Sequence, residues 1–527
     1  MSKIKSLLIV CVLAISIIII PELNFALDYS MNSSLANSTA SFLGEASGDR
    51  AGTAVAIVGD VNGDGYHDIA IGAPDNDQGG GGSGKTYLIF GNSSGWALNI
   101  NLTKANASFI GEGSGEGSGN TLAGAGDVNG DGYDDILIGA ENWGTLKGAV
   151  YLILGKSSGW GWNVSLTNAD ASYRGFRQTD YVGSSIAGVG DVNGDGYDDF
   201  LIGGYGNEDF GPWRGHAYLV YGKASGWAKD ISVNNVDASF YGESDSDQFG
   251  YSVSGAGDVN GDGYDDLLFG ALDNDENGQY TGQTYLLYGK ASKWTWGTNI
   301  ATVANASFMG VQINEHTGTK VSGAGDVNGD GYDDFLIGAQ YAGTFQDGRT
   351  YLVLGKASGL KNNTKLSSAD ASFIAENTGD RASFGLSGAG DVNGDGYDDF
   401  LIGAPRESTN GNNAGETYLI LGKSSGWTTD VSLSKSDASF LGEAAGWQSG
   451  YSVDGGGDVN GDGYDDIVIG TSAWAVSSGC PGRAYLIFPD KNTWPSTVDS
   501  VKAYSDPGLN KLASIASIND TITTTLL

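Results

Sequence analysis

The chain has 527 residues, 40% of them hydrophobic and 87 of them glycine, with a formal charge of −36. Glycine follows no three-residue period, Pro is scarce at 8, and the apolar content is ample for a core, which excludes collagen and extended disorder. No cluster of Lys and Arg stands against the acidic balance, so nucleic acid and anionic membranes are excluded as partners.

The first elements are export features. Lys3 and Lys5 precede an apolar run from Leu7 to Ile20, and Asn24-Phe25-Ala26 offers a cleavage site, so residues 1–26 are expected to be a signal peptide. The run is short for a membrane span; the alternative is an uncleaved signal anchor, the one membrane insertion the sequence allows. Of two cysteines, Cys11 lies in this segment and Cys480 is left unpaired, so an exported chain needs something other than disulfides to hold it. Nine Asn-x-Ser/Thr sequons, at Asn32, Asn37, Asn92, Asn101, Asn106, Asn163, Asn305, Asn362 and Asn519, suit surface glycosylation or arise by chance in an Asn- and Ser-rich chain.

From about residue 40 the chain repeats one unit seven times. In the fourth copy Gly250-Tyr251-Ser252-Val253-Ser254-Gly255-Ala256-Gly257 reads as a strand packed close to a neighbour. An acidic loop follows, then Leu267-Leu268-Phe269-Gly270-Ala271, an apolar run expected of a strand buried on both faces. A polar segment of changing length leads to Thr284-Tyr285-Leu286-Leu287-Tyr288-Gly289, a turn and spacer around Trp294, and a short strand Ala306-Ser307-Phe308-Met309-Gly310. No segment has a helical period. Four antiparallel strands recurring seven times predict an all-β, seven-bladed β-propeller over residues 27–490. The chain starts on a fourth-strand motif, Ala40-Ser41-Phe42-Leu43, and ends its repeats on a third-strand one, Ala484-Tyr485-Leu486-Ile487-Phe488. The N-terminal strand is therefore expected to join the last blade and close the ring. Residues 491–527 do not fit the repeat and are expected to be a C-terminal tail.

Each repeat carries Gly-Asp-Val-Asn-Gly-Asp-Gly-Tyr and, one residue later, Asp. Side-chain oxygens at loop positions 1, 3, 5 and 9, the carbonyl at 7 and a turn glycine at 6 are what a hard divalent cation needs, and the lack of Cys and His favours calcium over zinc or copper. The expected ligands are Asp60, Asn62, Asp64, Tyr66 and Asp68 in the first loop, and Asp127, Asn129, Asp131, Tyr133 and Asp135 in the second. They continue as Asp191, Asn193, Asp195, Tyr197 and Asp199, then Asp258, Asn260, Asp262, Tyr264 and Asp266. The fifth set is Asp326, Asn328, Asp330, Tyr332 and Asp334, and the sixth Asp391, Asn393, Asp395, Tyr397 and Asp399. Asp458, Asn460, Asp462, Tyr464 and Asp466 complete the seven. Up to seven calcium ions would leave a net charge of about −22.

The segment Phe249-Gly250-Tyr251, followed by residues 257–266 and Gly270-Ala271, resembles the FG-GAP repeat of integrin α-subunit propellers. Ile71-Gly72-Ala73-Pro74 and Ile402-Gly403-Ala404-Pro405 spell out its Gly-Ala-Pro end. The resemblance, over about residues 40–490, implies a seven-bladed propeller, calcium in hairpin loops, and adhesion or ligand binding at the cell surface. The chain departs from integrin α-subunits in carrying the loop in all seven repeats, and it is expected to lack their leg domains, transmembrane helix and cytoplasmic tail. Phe stands at the motif's first position only at Phe249, and Ser383 replaces its glycine in the sixth repeat. A stand-alone FG-GAP protein, secreted or at the cell surface, is the better comparison than an integrin paired with a β-subunit.

No catalytic constellation is expected. His67, His216 and His316 fall at unrelated template positions, with His67 expected to be solvent-exposed, and Asp430-Val431-Ser432-Leu433-Ser434 reads as a spacer variant rather than an adhesion metal site. Strand parity puts the loops after the second and fourth strands opposite the acidic loops. Those irregular loops carry Trp143, Tyr205, Trp213, Tyr280, Tyr341, Trp447 and Trp474, with Tyr181 and Phe210, as candidate contacts for an extracellular protein or glycan; the alternative is that these rings wedge between blades. Trp96, Trp160, Trp227, Trp294 and Trp427 recur at one template position and are expected to pack. The expected function is a calcium-binding propeller for adhesion or ligand binding. A carbohydrate-binding or carbohydrate-active propeller and a structural envelope component are the alternatives.

Overall fold

The computed structural model describes residues 30–472 and 480–489. The expected signal peptide, the expected tail and Trp474 lie outside those residues. Within them the chain forms seven separate sheets, each with four antiparallel strands plus a short fifth. In the fourth blade these are Phe249–Gly257, Asp266–Ala271, Gln283–Leu287 and Ala306–Met309, from the axis outwards. The second strand shows why the ring forms. Leu267, Phe269 and Ala271 pack into the apolar cluster shared with the third blade, whereas Leu268 packs into the one shared with the fifth. Alternate residues thus serve opposite faces, and both faces are apolar because each meets a neighbouring blade.

Closure is as expected. Ala40–Leu43 pairs antiparallel with Arg483–Ile487 and becomes the outer strand of the seventh blade. Phe42, Val468 and Leu486 of that blade share one apolar cluster with Ile69, Ile71 and Tyr87 of the first. The seam is therefore packed like every other blade boundary.

The spacers do more than the sequence suggests. Each contributes a two-residue strand that pairs in parallel with the outer strand of the preceding blade, as Thr298–Asn299 does with Phe240 and Tyr241. The serine of every Ala-Ser-Phe or Ala-Ser-Tyr motif accepts a backbone N–H from that spacer at 2.7–2.9 Å. Asp430 is one of those donors, through its backbone N to Ser372, which places the Asp-x-Ser-x-Ser string in a spacer. The N-terminal residues provide the spacer for the sixth blade: Ser33–Ser34 pairs with Phe440 and Leu441, and Asn32 N donates to Ser439.

Blades also lock through the residue at loop position 8. Its carboxylate accepts the backbone N–H of position 1 in the preceding loop: Asp134 from Asp60, Asp198 from Asp127, Asp265 from Asp191, Asp333 from Asp258, Asp398 from Asp326 and Asp465 from Asp391, at 2.7–3.0 Å. At the seam this position is His67. Contrary to expectation it is half-buried, because it occupies the same interblade slot against Gly457. The glycine before each loop leaves room for this side chain; a Cβ on Gly257 would run into the Asp333 carboxylate. Ser383, the one departure from the motif glycine, keeps a left-handed φ of 75° and hydrogen-bonds Thr350 through its hydroxyl at 2.6 Å.

Asp265→Ala, which leaves the Asp191 N–H without its acceptor, is expected to cost about 1–2 kcal/mol. His67→Ala should cost less, because no carboxylate is lost at the seam. Urea unfolding of the two variants checks the order.

Candidate metal loops and the opposite face

The seven acidic loops share one face of the ring and one geometry. In the fourth, Asp258 Oδ1 accepts from Gly261 N at 2.7 Å and Asp262 N at 3.0 Å, and its Oδ2 from Gly263 N at 2.7 Å. Gly261 and Gly263 make this wrap with φ of 75° and 88°, where a side chain is disfavoured. Asp262 Oδ1 accepts from Tyr264 N at 3.2 Å, and Asp266, fully buried, accepts from Val259 N and Gly289 N at 3.0 and 2.8 Å. The first loop repeats this around Asp60, Asp64 and Asp68. The Asp at position 1 is wrapped in the same way at Asp127, Asp191, Asp326, Asp391 and Asp458.

The donor set fits a hard cation. Three carboxylates, an amide and a carbonyl sit in each loop, and the buried position-9 acid has two other acids facing it. Burial first, and those neighbours next, push its carboxyl up to about 8 in Asp68, Asp135, Asp266 and Asp334. Asp199 is pushed to about 7, and Asp399 and Asp466 to about 9. In the second and fourth loops the buried amide nitrogens of Asn129 and Asn260 have no partner; turned over, each amide would present its oxygen instead. Among the described residues no three acidic, His or Cys side chains are already drawn into a finished cage.

The opposite face is built from aromatic rings. Tyr205 stacks on Tyr181 at 4.8 Å, lies 5.1 Å from Tyr251, and has Trp213 tilted against it at 6.4 Å. Across the ring Phe384 and Tyr451 lie 4.4 Å apart. Tyr280 stacks on His316, which reaches Tyr341 at 5.1 Å and pairs with Asp273 at 2.8 Å. These rings surround the mouth of a central channel of about 690 Å³ that also presents Asn120, Glu141, Lys320, Gln340 and Asp454. Burial raises the Glu141 carboxyl, whose Oε1 accepts from Asn120 at 3.1 Å. Lys320 is exposed and lines the channel together with Asp454.

Of the candidate aromatics, Tyr205, Trp213, Tyr280 and Tyr341 gather at or beside this mouth, with Trp213 37% and Tyr280 40% exposed. Trp143 and Trp447 do not. The Trp143 indole donates to Glu112 at 3.1 Å and lies under Arg174, and Trp447 packs on the core between the sixth and seventh blades. Phe210 stacks on Tyr241 at 4.0 Å, so it too serves packing. The repeated tryptophans pack as expected; Trp96 lies edge-on to Phe42 and Phe488. His216 is fully buried and held neutral, its pKa lowered to about 3 by burial. The channel residues Glu141, Lys320 and Asp454 escaped the sequence reading. The available signal was a charge inside a glycine-rich inner strand, as in Lys320-Val321-Ser322-Gly323 and Ser452-Val453-Asp454-Gly455.

Residues 51–89, 118–153, 249–287, 317–353, 386–420 and 449–485 match the FG-GAP repeat family. Six of the seven blades are FG-GAP repeats. The FG-GAP propeller is 31% identical to integrin alpha-V of Gallus gallus over 231 residues, covering 42% of this chain and 20% of that protein. It is 30% identical to integrin alpha-5 of Xenopus laevis over 242 residues and to integrin alpha-PS2 of Drosophila melanogaster over 273. The matched part spans about a fifth of those relatives' length. Among the described residues no helix is long and apolar enough to cross a membrane.

The raised position-9 carboxyls set a pH dependence. Without a cation the folded state holds protons there that the unfolded chain releases near pH 4, so stability should fall as pH rises from about 4 to about 9 and then level off. Bound cation requires the ionised form and reverses the trend. Melting temperature in EGTA should therefore drop between pH 6 and 9 while the calcium-induced rise grows, and calorimetry should detect protons released on calcium binding.

Proposed function

We propose that this protein is an extracellular, calcium-loaded FG-GAP propeller that binds a protein or glycan ligand in adhesion, and that it is not an enzyme. Residues 1–26 act as its export signal in this reading, and up to seven calcium ions stiffen the hairpin tips through the five ligands of each loop. Likeness to integrin alpha chains supports the reading. The observation that carries it is the aromatic mouth on the face away from the acidic loops.

Exposed rings on irregular loops, fixed by a rigid closed ring, provide contact area at little entropic cost. The adjacent acids are already engaged: Glu141 by Asn120, and Asp454 by Ser387 at 2.8 Å and Ile57 N at 2.9 Å. The loops act at a distance, by stabilising the scaffold through mass action.

Arrays of glycans and extracellular proteins, probed with the purified chain in calcium and in EGTA, test this. For a ligand so found, Trp213→Ala and Tyr280→Ala should each weaken binding at least about tenfold, as loss of a central aromatic contact does, with an unchanged melting temperature. Unaltered binding in both variants rejects this face.

A further inference from the structure

Six of the eight arginines lie 2.5–2.8 Å from a carboxylate, as expected in so acidic a chain. Among the described residues no acid pairs with the other two, Arg381 and Arg406. Both belong to the sixth blade and to the face of the channel mouth. Arg381 stands just before the first strand of that blade, Gly385–Gly390, and Arg406 just after the second, Asp399–Ala404.

The first blade shows this place in its balanced form. Arg50 has the same left-handed φ of 55° as Arg381, and its Nη2 donates to Asp75 Oδ1 at 3.0 Å while Nε lies 2.6 Å from Oδ2. Backbone bonds fix the equivalence of the second position: Asp75 N donates to Asp49 O at 3.3 Å, Asp273 N to Asp247 O at 3.3 Å, and Arg406 N to Asp380 O at 3.2 Å. In the fourth blade Gln248 donates to Asp273 across the same two positions. The sixth blade therefore sets a second guanidinium where the first and fourth have a carboxylate.

Nothing nearby in the chain neutralises the two. Arg381 lies over the Tyr341 ring at 5.0 Å and donates from Nε and Nη2 to Gln346 Oε1, an uncharged acceptor, at 3.3 and 2.7 Å. Arg406 is exposed. The acids beside them in sequence, Asp380 and Glu407, are buried, and accept from Asn377 N at 2.8 Å and from the Thr409 N and hydroxyl. Burial first, and then the like charge of Arg406, lower the Arg381 guanidinium. Lys320 adds a third cation where it lines the channel with Tyr341, and the Phe345 ring next to Gln346 is 67% exposed.

We propose that Arg381 and Arg406 clamp an Asp or Glu side chain of a protein partner, with Phe345 meeting an apolar neighbour of that acid. The inference rests on the ligand face proposed above and names the chemistry that face recognises. Two like charges side by side repel, and an anion between them removes the repulsion. A guanidinium presents paired N–H donors that match the two oxygens of a carboxylate. The first blade fills this place with the carboxylate of an amino acid, Asp75, which favours a protein segment over an acidic sugar. Tyr341 is already engaged by Arg381 and His316, and Phe345 has no polar group for sugar hydroxyls. The partner's acid thus completes in trans the pair that the first blade makes within itself.

The test is an array on which each acidic peptide is printed beside its copy with Asn for Asp and Gln for Glu, together with carboxylated and neutral glycans. It is read with the full chain in calcium. Wild type should hold its best acidic peptides at least about tenfold more strongly than the amide copies, the effect of losing charge-assisted hydrogen bonds. Arg406→Asp rebuilds the pair of the first blade, so it should abolish that preference and melt higher than wild type. Should it fail to fold, Arg406→Gln takes its place and should also abolish the preference. No acid preference in wild type, a preference kept by a folded Arg406 variant, or carboxylated glycans held in place of peptides overturns the proposal. If the arginine variants change nothing while Trp213→Ala weakens binding, this inference falls and the ligand face stands; if neither changes binding, both fall.

Discussion

A sheet with two apolar faces cannot stand alone in water, and every feature of this molecule follows from having seven of them. Each face is covered by the next blade, so the last blade must meet the first. That demand accounts for the transfer of Ala40–Leu43 into the seventh blade and of Ser33–Ser34 onto the sixth. It also accounts for glycine on the inner strands, where blades converge on the axis: the α-carbon of Val189 lies 3.1 Å from where a Cβ on Gly255 would stand. Large side chains are moved outwards, to the tryptophan and phenylalanine positions of the outer strands and spacers.

The ring sorts its chemistry by strand parity. Loops after the first strands carry the cation-type acids at nearly invariant length, and those after the third, on the same face, carry the tryptophan spacers. Loops after the second and fourth carry the rings of the channel mouth and vary. Acidic loops packed around one face put many carboxylates near each other, and the molecule answers locally. Position-1 acids are wrapped by backbone amides, position-8 acids cap the neighbouring loop, and position-9 acids are buried where a cation would offset them. The opposite face has the reverse character, with its acids engaged by Asn, Ser and backbone donors and its rings turned to the channel mouth.

Much of the fold was legible because repetition multiplies a weak signal. One short apolar run such as residues 267–271 is ambiguous between strand and buried helix; seven copies at a steady spacing beside a turn-forming acidic loop are not. The closing strand was legible for the same reason, since Ala40-Ser41-Phe42 matches five other copies and differs from Ala171-Ser172-Tyr173 only in the last ring. His67 was misread because a residue in a polar loop looks solvent-exposed, while its slot is made by Gly457, hundreds of residues away in sequence. The aromatic candidates divided for an analogous reason. Trp143 and Tyr205 occupy equivalent loops, but Arg174 and Glu112 capture the first, whereas Tyr181 and Tyr251 turn the second to the mouth.

What the sequence determined by itself is whatever depends on neighbours along the chain: the acidic loop and its ligand order, the two-faced second strand, the count of seven. Only the tertiary structure decided what depends on neighbours across blades. The spacer strands, the interblade carboxylate lock, and the channel with Lys320 and Asp454 are of this kind. Local rules of hydrogen bonding and hydrophobic period act within a few residues, whereas these contacts join segments brought together only when the ring closes.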